Sequence, residues 1–398
     1  MFRTLNEISV SGNRVLMRVD FNVPLDADLS VTDDTRIRAA IPSIRHILEH
    51  KGRLVLCSHL GRPKGERIEK FSLKPAALRL GELLEKEVVF VPDCVGPDVE
   101  RAVASLPEGG VALLENLRFH AGETKNDPAF SAALASLADV YVNDAFAVSH
   151  RAHASVVGVA ERVQIRAAGF LLEKEIRYFE KAMKDPARPL VAILGGAKVS
   201  GKLGAIRNIL TIVDTLIIGG AMANTFLVSQ GIGMGTSLVE PDLVQTAAHI
   251  LKDAREAGKK IYLPVDFVVA TELSPSAATK IVPAMEVPNG WMALDIGPAT
   301  VTLFCEAIAD ARTIVWNGPM GAFETDAFSR GTTAMAQAVG SSHALTIVGG
   351  GDTNAAIHKA GEERNVSYMS TGGGAFLALL EGKKLPGIAV LEKDGDGK

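Results

Sequence analysis

Cysteine is scarce. Cys57, Cys94 and Cys305 are the whole set in 398 residues, far apart and in no C-x-x-C pairing. Such a set excludes a disulfide framework, argues against a zinc site, and points to a reducing compartment. Aromatic residues make up only 5%. No apolar run approaches the roughly 18 residues that a membrane-spanning helix needs. The opening Met1-Phe2-Arg3-Thr4-Leu5-Asn6-Glu7 has no apolar core of a signal peptide. A cytoplasmic protein that avoids membranes is expected. Neither sign of charge dominates: 42 Lys and Arg face 46 Asp and Glu, with a pI of about 6.2, so no bulk attraction to nucleic acid or membrane is implied.

What the chain does have is apolar content of 47%, 38 glycines and a mean hydropathy of +0.19. These suit an α/β chain with short loops, and the length suggests two or three domains. Arginines number 15 up to Phe170 and 7 after it, lysines 6 and 14. Arg offers a planar fork and Lys a point charge, so the halves fit two different anion sites, or simple compositional drift.

Gly195-Gly196-Ala197-Lys198-Val199-Ser200-Gly201-Lys202 follows the apolar run Leu190–Leu194 and precedes apolar residues at helical spacing from Leu203. This reads as strand, glycine turn, helix start, a geometry that favours an anion. Lys198 and Lys202 are four apart and would share a helix face. A polyphosphate site fits, as does a tight turn with two solvated lysines. The P-loop pattern fails because Leu203 holds the hydroxyl position and Thr215–Gly220 ends without a carboxylate.

In the first half, strands end in polar clusters, where ligands of open α/β sheets bind. Asn13–Asp20 carries Arg18 and Asp20, with Asn22 beyond; alternation puts all three on one face. Asp33-Asp34-Thr35-Arg36 opens a helix with acidic residues expected in its first turn. Arg36 is a cation poorly placed there unless an anion joins it. Arg53–Ser58 runs into His59-Leu60-Gly61-Arg62. Val111–Glu115 leads to Arg118 and His120, and Val140–Asn143 to His150-Arg151-Ala152-His153. Three strand ends each deliver an arginine, which suggests a basic cup for a small multivalent anion.

Arg18-Val19-Asp20-Phe21-Asn22-Val23-Pro24 resembles the signature of the phosphoglycerate kinase family, and the resemblance extends along nearly the whole chain. It implies a 3-phosphate held by His59, Arg62, Arg118 and Arg151, with the Leu60 and Gly61 backbone in the same turn. Arg18, Asp20, Phe21 and Asn22 would bind the substrate, Asp20 and Asn22 at its glycerate end. Arg36 would sit at the carboxyl-phosphate. One departure is Phe146-Ala147-Val148-Ser149, where the family more often has a glycine and a threonine; it bears on loop shape.

In the second half, Gly219-Gly220 ends one strand. Lys260–Phe267 reads as another, ending in Asp266. Thr313–Trp316 leads to Asn317-Gly318-Pro319 and on to Glu324, which suits two ribose hydroxyls or plain solvent. Gly349-Gly350-Gly351-Asp352-Thr353 removes side chains before a helix that Asp352 or Thr353 would cap. A carboxylate beside phosphates calls for a bridging metal, so Asp352 is the magnesium candidate. Thr371-Gly372-Gly373-Gly374 opens a last helix with bare amides. The resemblance assigns Glu324 to the ribose, Asn317 to the phosphate end and the Gly372–Gly374 amides to the phosphoryl group in transfer. Gly195, Gly219, Gly220, Pro319, Gly350, Gly351 and Thr353 would line the same nucleotide site.

The expected fold is two Rossmann-like α/β domains, each a parallel sheet flanked by helices. Residues 1–170 would bind phosphoglycerate, 171–185 form a connecting helix, 186–384 bind nucleotide, and the tail 385–398 return to the first domain. The expected reaction is reversible phosphoryl transfer from 1,3-bisphosphoglycerate to Mg-ADP, giving 3-phosphoglycerate and ATP, by a monomer whose hinge closes. Arg36, Lys198, Lys202, Gly372, Gly373 and Mg²⁺ would stabilise the transferring group. A P-loop NTPase and a non-catalytic two-domain anion binder are the rival readings.

Overall fold

Short β-branched runs flanked by glycine or charge become strands buried on both faces, as parallel sheets require. The computed structural model describes residues 2–392. In chain order the first six strands are β1 Arg14–Arg18, β2 Arg53–Cys57, β3 Val89–Val91, β4 Val111–Leu114, β5 Val140–Asn143 and β6 Ile165–Ala168. They form a sheet in the order β3-β4-β2-β1-β5-β6, every pairing parallel. Val15, Met17, Leu54, Leu56, Leu113 and Val142 meet Ile37, Ile44 and Ile47 of the helix Thr35–Glu49 in one buried cluster. Each such side chain contributes on the order of 1.5–3 kcal/mol.

The later strands are β7 Leu190–Leu194, β8 Thr215–Ile218, β9 Lys260–Tyr262, β10 Asp266–Ala270, β11 Thr279–Pro283, β12 Met292–Ile296, β13 Thr313–Asn317, β14 Leu345–Gly349 and β15 Tyr368–Ser370. Six of them make a second sheet, β15-β14-β13-β7-β8-β9, again parallel throughout. Its core gathers Ile193, Ile217, Trp316, Val348 and Phe304. The architecture is therefore α/β, two parallel sheets with intervening helices. Among the described residues no helix is long and apolar enough to cross a membrane.

The chain separates into two compact units. Among the described residues, one holds 2–176 together with 384–392, and the other holds Arg177–Lys383. The first boundary falls inside the helix Phe170–Met183, not at the start of it. In the return segment, the Gly387 amide donates to Ser149 O at 2.9 Å. Asn143 Nδ2 donates to Gly387 O at 3.2 Å, and Phe2 bridges Glu392. Residues 393–398 of the expected tail lie outside the described residues.

Several local expectations are corrected. Lys260–Phe267 is not one strand: β9 stops at Tyr262, and after Pro264 a new strand starts at Asp266. That strand, β10, belongs to a three-stranded antiparallel sheet, β11-β10-β12. Asp266 thus begins a strand, and its carboxylate accepts from the Ala299 and Thr300 amides at 3.0 and 2.7 Å, capping the helix Pro298–Ala309. The helix Thr35–Glu49 has no acidic residue in its first turn, because Asp33 and Asp34 precede it.

Asp144 shows how the first unit starts the helix Phe170–Met183. Its Oδ1 accepts from the Leu171 and Leu172 amides at 2.8 and 3.2 Å. A Cβ on Gly169 would lie 2.3 Å from that oxygen, so glycine is required there. Burial pushes the Asp144 carboxyl up to about 7, against the opposing bonds from Ser43 and the helix amides. A folded-state value above the unfolded one gives stability that is full below the unfolded pKa and is lost as pH rises through about 7. Asp144→Asn is expected to remove about 1–3 kcal/mol of the stability lost between roughly pH 5 and 8. Thermal unfolding of both proteins at the two pH values checks this; equal losses count against it.

Candidate functional site

In each parallel sheet the strand order reverses beside a central strand, and the crevice at the carboxyl ends is where a ligand fits. In the first unit that point lies between β1 and β5. Arg18, the last residue of β1, is wholly buried. Its Nε donates to Ser155 Oγ at 2.9 Å, its Nη2 bonds His59 Nδ1 at 3.1 Å, and its Nη1 donates to Val19 O. Ser155 Oγ in turn donates to buried Glu123 at 2.7 Å. Arg18 therefore backs His59 instead of offering a free fork to a ligand, which differs from the sequence expectation.

Arg36 Nη1 meets Asp20 Oδ2 at 2.5 Å; the Arg36 side chain is 40% exposed and Asp20 only 9%. One edge of the guanidinium is thus fixed while the rest faces solvent. His59 is buried among Arg18, Arg118, Arg151 and Arg36, and burial first, then those cations, hold its pKa well below the ordinary value. It is a neutral imidazole whose Nδ1 accepts from Arg18. Asn22 Oδ1 accepts from the Gly61 amide at 2.8 Å, and Arg118 Nη1 donates to Gly61 O at 2.7 Å. Gly61, at φ 62°, thus joins the Asp20–Asn22 segment to the arginines. Phe21 and Leu60 are buried in the core, so only their backbones are available.

Arg62, Arg118 and Arg151 come together on a cavity of about 420 Å³, with Lys64, His120 and His153 among its other walls. Burial, then Arg18 and Arg151, push Arg118 down to about 10. Burial, then Arg118, Arg18 and Arg151, push His153 down to about 4. Cations crowded this closely mark a place arranged for a multivalent anion. Lys64, His120 and His153 were not among the candidates; His120 and His153 lie just past two of the strand ends that supplied the arginines. A larger cavity of about 780 Å³ near Asp34 and Arg79 is lined by charges that neutralise one another. Asp34 pairs with Arg38 and Arg79, and Arg79 with Glu82.

In the second unit the reversal lies between β7 and β13. The Gly195 amide donates to Asn317 O at 3.0 Å and the Gly196 amide to Pro319 O at 2.9 Å. A Cβ on Gly195 would lie 2.1 Å from Pro319 O, so only glycine admits this approach. The helix after β7 starts at Leu203, with Lys202 as its N-cap. Lys198 and Lys202 are therefore in the turn and do not share a helix face. Lys198 is exposed. Lys202 Nζ donates to Asn317 O at 2.7 Å. Burial pushes Lys202 down to about 8, opposed by Asp352.

Asn317 Nδ2 donates to Gly349 O at 2.7 Å, and the Gly318 amide donates to Thr353 Oγ1 at 2.7 Å. The cap expected from Asp352 or Thr353 is instead Gly350, at φ 109°. Thr353 Oγ1, buried, donates to Gly349 O at 3.1 Å, which ties the β13 turn to the β14 turn. A Cβ on Gly373 would lie 3.1 Å from Gly350 Cα, so the β15 turn is packed there too. Gly351 opens the helix after β14, and Gly372 caps the helix after β15. A cavity of about 260 Å³ is lined by Gly196, Gly220, Pro319, Glu324 and Asp352 among others. Gly219 follows β8 at its edge, its amide on Leu194 O at 2.9 Å. Glu324 and Asp352 are exposed.

Asp352 suits a magnesium ion carried by polyphosphate. Its carboxylate makes no hydrogen bond or ion pair among the described residues, and Mg²⁺ takes one or two carboxylates together with phosphate oxygens and water.

Residues 5–383 match the sequence model of the family described as phosphoglycerate kinase. The phosphoglycerate kinase of Desulfotalea psychrophila is 61% identical over 98% of this chain and 100% of its own length. That of Geobacter sp. strain M21 is 60% identical over 99% of each chain. Among solved structures, the phosphoglycerate kinase from Coxiella burnetii superposes with a TM-score of 0.90 at 42% identity, covering 98% of this chain and 99% of that one. The Pyrococcus horikoshii enzyme gives 0.85 at 33% identity, covering 98% of each.

Proposed function

The chain belongs to the phosphoglycerate kinase family and has that enzyme's activity, the reversible conversion of 1,3-bisphosphoglycerate and ADP to 3-phosphoglycerate and ATP; we propose that the two crevices are its two substrate sites. The observation that carries this assignment is the pairing of anion sites of different design. Arg62, Arg118 and Arg151 line one cavity, while the glycine turns at Gly196 and Gly220 line the other, with Lys202 held nearby on Asn317 O.

The arginine cavity takes the 3-phosphate, with charge-assisted bonds worth about 1.5–3 kcal/mol each. Neutral His59, whose Nδ1 accepts from Arg18, donates a hydrogen bond through Nε2. Asp20 and Asn22 orient the glycerate end, and Arg36 meets the carboxyl-phosphate. In the second unit, Lys202 and the Gly372 and Gly373 amides meet the nucleotide phosphates, Glu324 the ribose hydroxyls, and exposed Lys198 the group in transfer. Asp352 holds Mg²⁺, which neutralises phosphate charge when bound with the nucleotide. The acceptor oxygen is already ionised, so no side chain need remove a proton, and catalysis is positioning with charge neutralisation.

Both units serve one transfer, so a hinge between them closes on the two substrates. X-ray scattering is expected to show a smaller radius of gyration with both 3-phosphoglycerate and Mg-ADP than with either alone; equal radii would sink the closure. The enzyme works as a cytoplasmic monomer. The assignment itself is tested by a coupled assay for ATP consumption. Turnover should require 3-phosphoglycerate and stop when Mg²⁺ is chelated; equal ATP consumption without 3-phosphoglycerate overturns it.

Gly220 offers a separate check. It stands at φ +65°, and a Cβ would lie 2.5 Å from Gly196 N and 2.9 Å from Pro319 O, both backbone. Gly220→Ala is expected to cost about 1–3 kcal/mol of stability and to weaken ADP binding on the order of 100-fold by shifting the turn. Titration calorimetry and thermal unfolding report the two effects; unchanged ADP affinity would place the turn outside the nucleotide site.

A further inference from the structure

Strand pairing brings together three side chains that the sequence keeps apart. β3 and β4 are parallel neighbours, with Val91 opposite Leu114, and the Glu115 amide donates to Val91 O at 2.9 Å. The chain leaving β3 carries Asp93 and Cys94; the chain leaving β4 turns through Leu117–Phe119 to His120. As a result, ligand atoms of Asp93, Cys94 and His120 all lie within 4.8 Å of one another.

The details suit a metal ion. His120 Nε2 and Asp93 Oδ1 are 2.6 Å apart, sharing a proton where a cation would sit. The His120 ring stacks on Phe130, centroids 5.1 Å apart and 27° between planes, which limits its swing. The Cys94 thiol donates to Glu115 O at 2.8 Å. Cys94 is fully buried, whereas the His120 and Asp93 side chains are 31% and 47% exposed. Solvent therefore reaches the cluster from the carboxylate and imidazole side.

We propose that Asp93, Cys94 and His120 form a binding site for a borderline divalent transition-metal ion of the Zn²⁺ or Co²⁺ class. One carboxylate and one thiolate balance the two positive charges, so the buried side of the complex carries no net charge. The ion replaces two hydrogens: the thiol proton and the proton shared by His120 Nε2 and Asp93 Oδ1 both leave to solvent, and His120, keeping its proton on Nδ1, binds through Nε2. Zn–S distances of about 2.3 Å and Zn–N or Zn–O distances of about 2.0–2.2 Å need the Asp93–His120 contact to open by only a fraction of an ångström. Water completes the fourth position on the exposed side. Burial, then Asp93, Cys57, Glu123 and Glu115, hold the Cys94 thiol well above its ordinary pKa. Binding exchanges that thiol proton for the metal ion. Mg²⁺ prefers oxygen ligands alone and does not compete.

The test is a Co²⁺ titration of the full chain, freed of metal by chelation, read by absorption. One equivalent is expected to produce a thiolate-to-cobalt charge-transfer band and tetrahedral visible bands. Excess Mg²⁺ should leave them unchanged, and one equivalent of Zn²⁺ should bleach them. Cys94→Ser should abolish the charge-transfer band. His120→Ala, at a half-exposed position that leaves the core intact, should weaken binding about 100-fold, with folding verified by circular dichroism. No charge-transfer band in the parent protein overturns the proposal. So does a band that survives Cys94→Ser, which would belong to Cys57 or Cys305, or one indifferent to His120→Ala.

Discussion

Arg36→Ala should lose about 10³-fold in kcat while the substrates still bind. Arg36 is the second residue of the helix Thr35–Glu49, where the helix dipole disfavours a cation. Asp20 compensates for it at 2.5 Å and fixes the guanidinium's direction. The half-exposed fork is then the group best placed to receive charge that builds on the transferring phosphoryl. An interaction made chiefly in the transition state shows in kcat more than in KM. The variant leaves Asp20 without its partner, so a stability loss of about 1–2 kcal/mol is expected as well. Arg36→Lys restores the charge without the planar fork and should recover only part of the rate. Steady-state kinetics with saturating substrates, beside thermal unfolding, separate the two losses. A kcat within threefold of the parent would remove Arg36 from the transfer step.

Lys202→Ala should cost on the order of 10²–10³ in kcat/KM for the nucleotide. Lys202 Nζ is held on Asn317 O at 2.7 Å, and burial pushes its pKa down to about 8. A lysine with a depressed value loses its proton as pH rises through that value, so the free enzyme loses the cation above about pH 8. Since kcat/KM reports the free enzyme, its profile for ADP should fall above that pH in the parent. In Lys202→Ala the profile should be flat there, at a uniformly lower level. Bound phosphate favours the protonated amine, so the limb in kcat should move to higher pH. A parent profile with no alkaline limb, or a variant that keeps it, would show that Lys202 does not meet the nucleotide.

The sequence disclosed the strand ends because each combines a β-branched apolar run with glycine or arginine at its exit. Parallel strands need both faces apolar, so β7 and β13 are visible as continuous runs. The antiparallel sheet was not visible: Tyr262-Leu263-Pro264-Val265-Asp266 is apolar enough to read as one strand. Only long-range pairing of β10 with β11 and β12 decides that Asp266 begins a new one. Arg18 shows a second limit. Alternation places it on a face with Asp20 and Asn22, but Ser155, 137 positions away, decides that the face is covered. The lysine pair shows a third, since spacing of four implies a shared face only inside a helix, and the helix starts at Leu203. Asp93, Cys94 and His120 have no metal-binding spacing at all; the β3–β4 register creates their proximity.

Residues 384–392 belong to the unit that the chain begins, with Gly387 bonded to Asn143 and Ser149. On the ribosome, then, the first unit emerges early but cannot finish until residues 384–392 have also been translated. The second unit, Arg177–Lys383, is continuous and can complete itself first. Translation that aborts shortly before Lys384 would release a nascent chain with a sound second half and an unsealed first half, a natural substrate for chaperones and quality-control proteases.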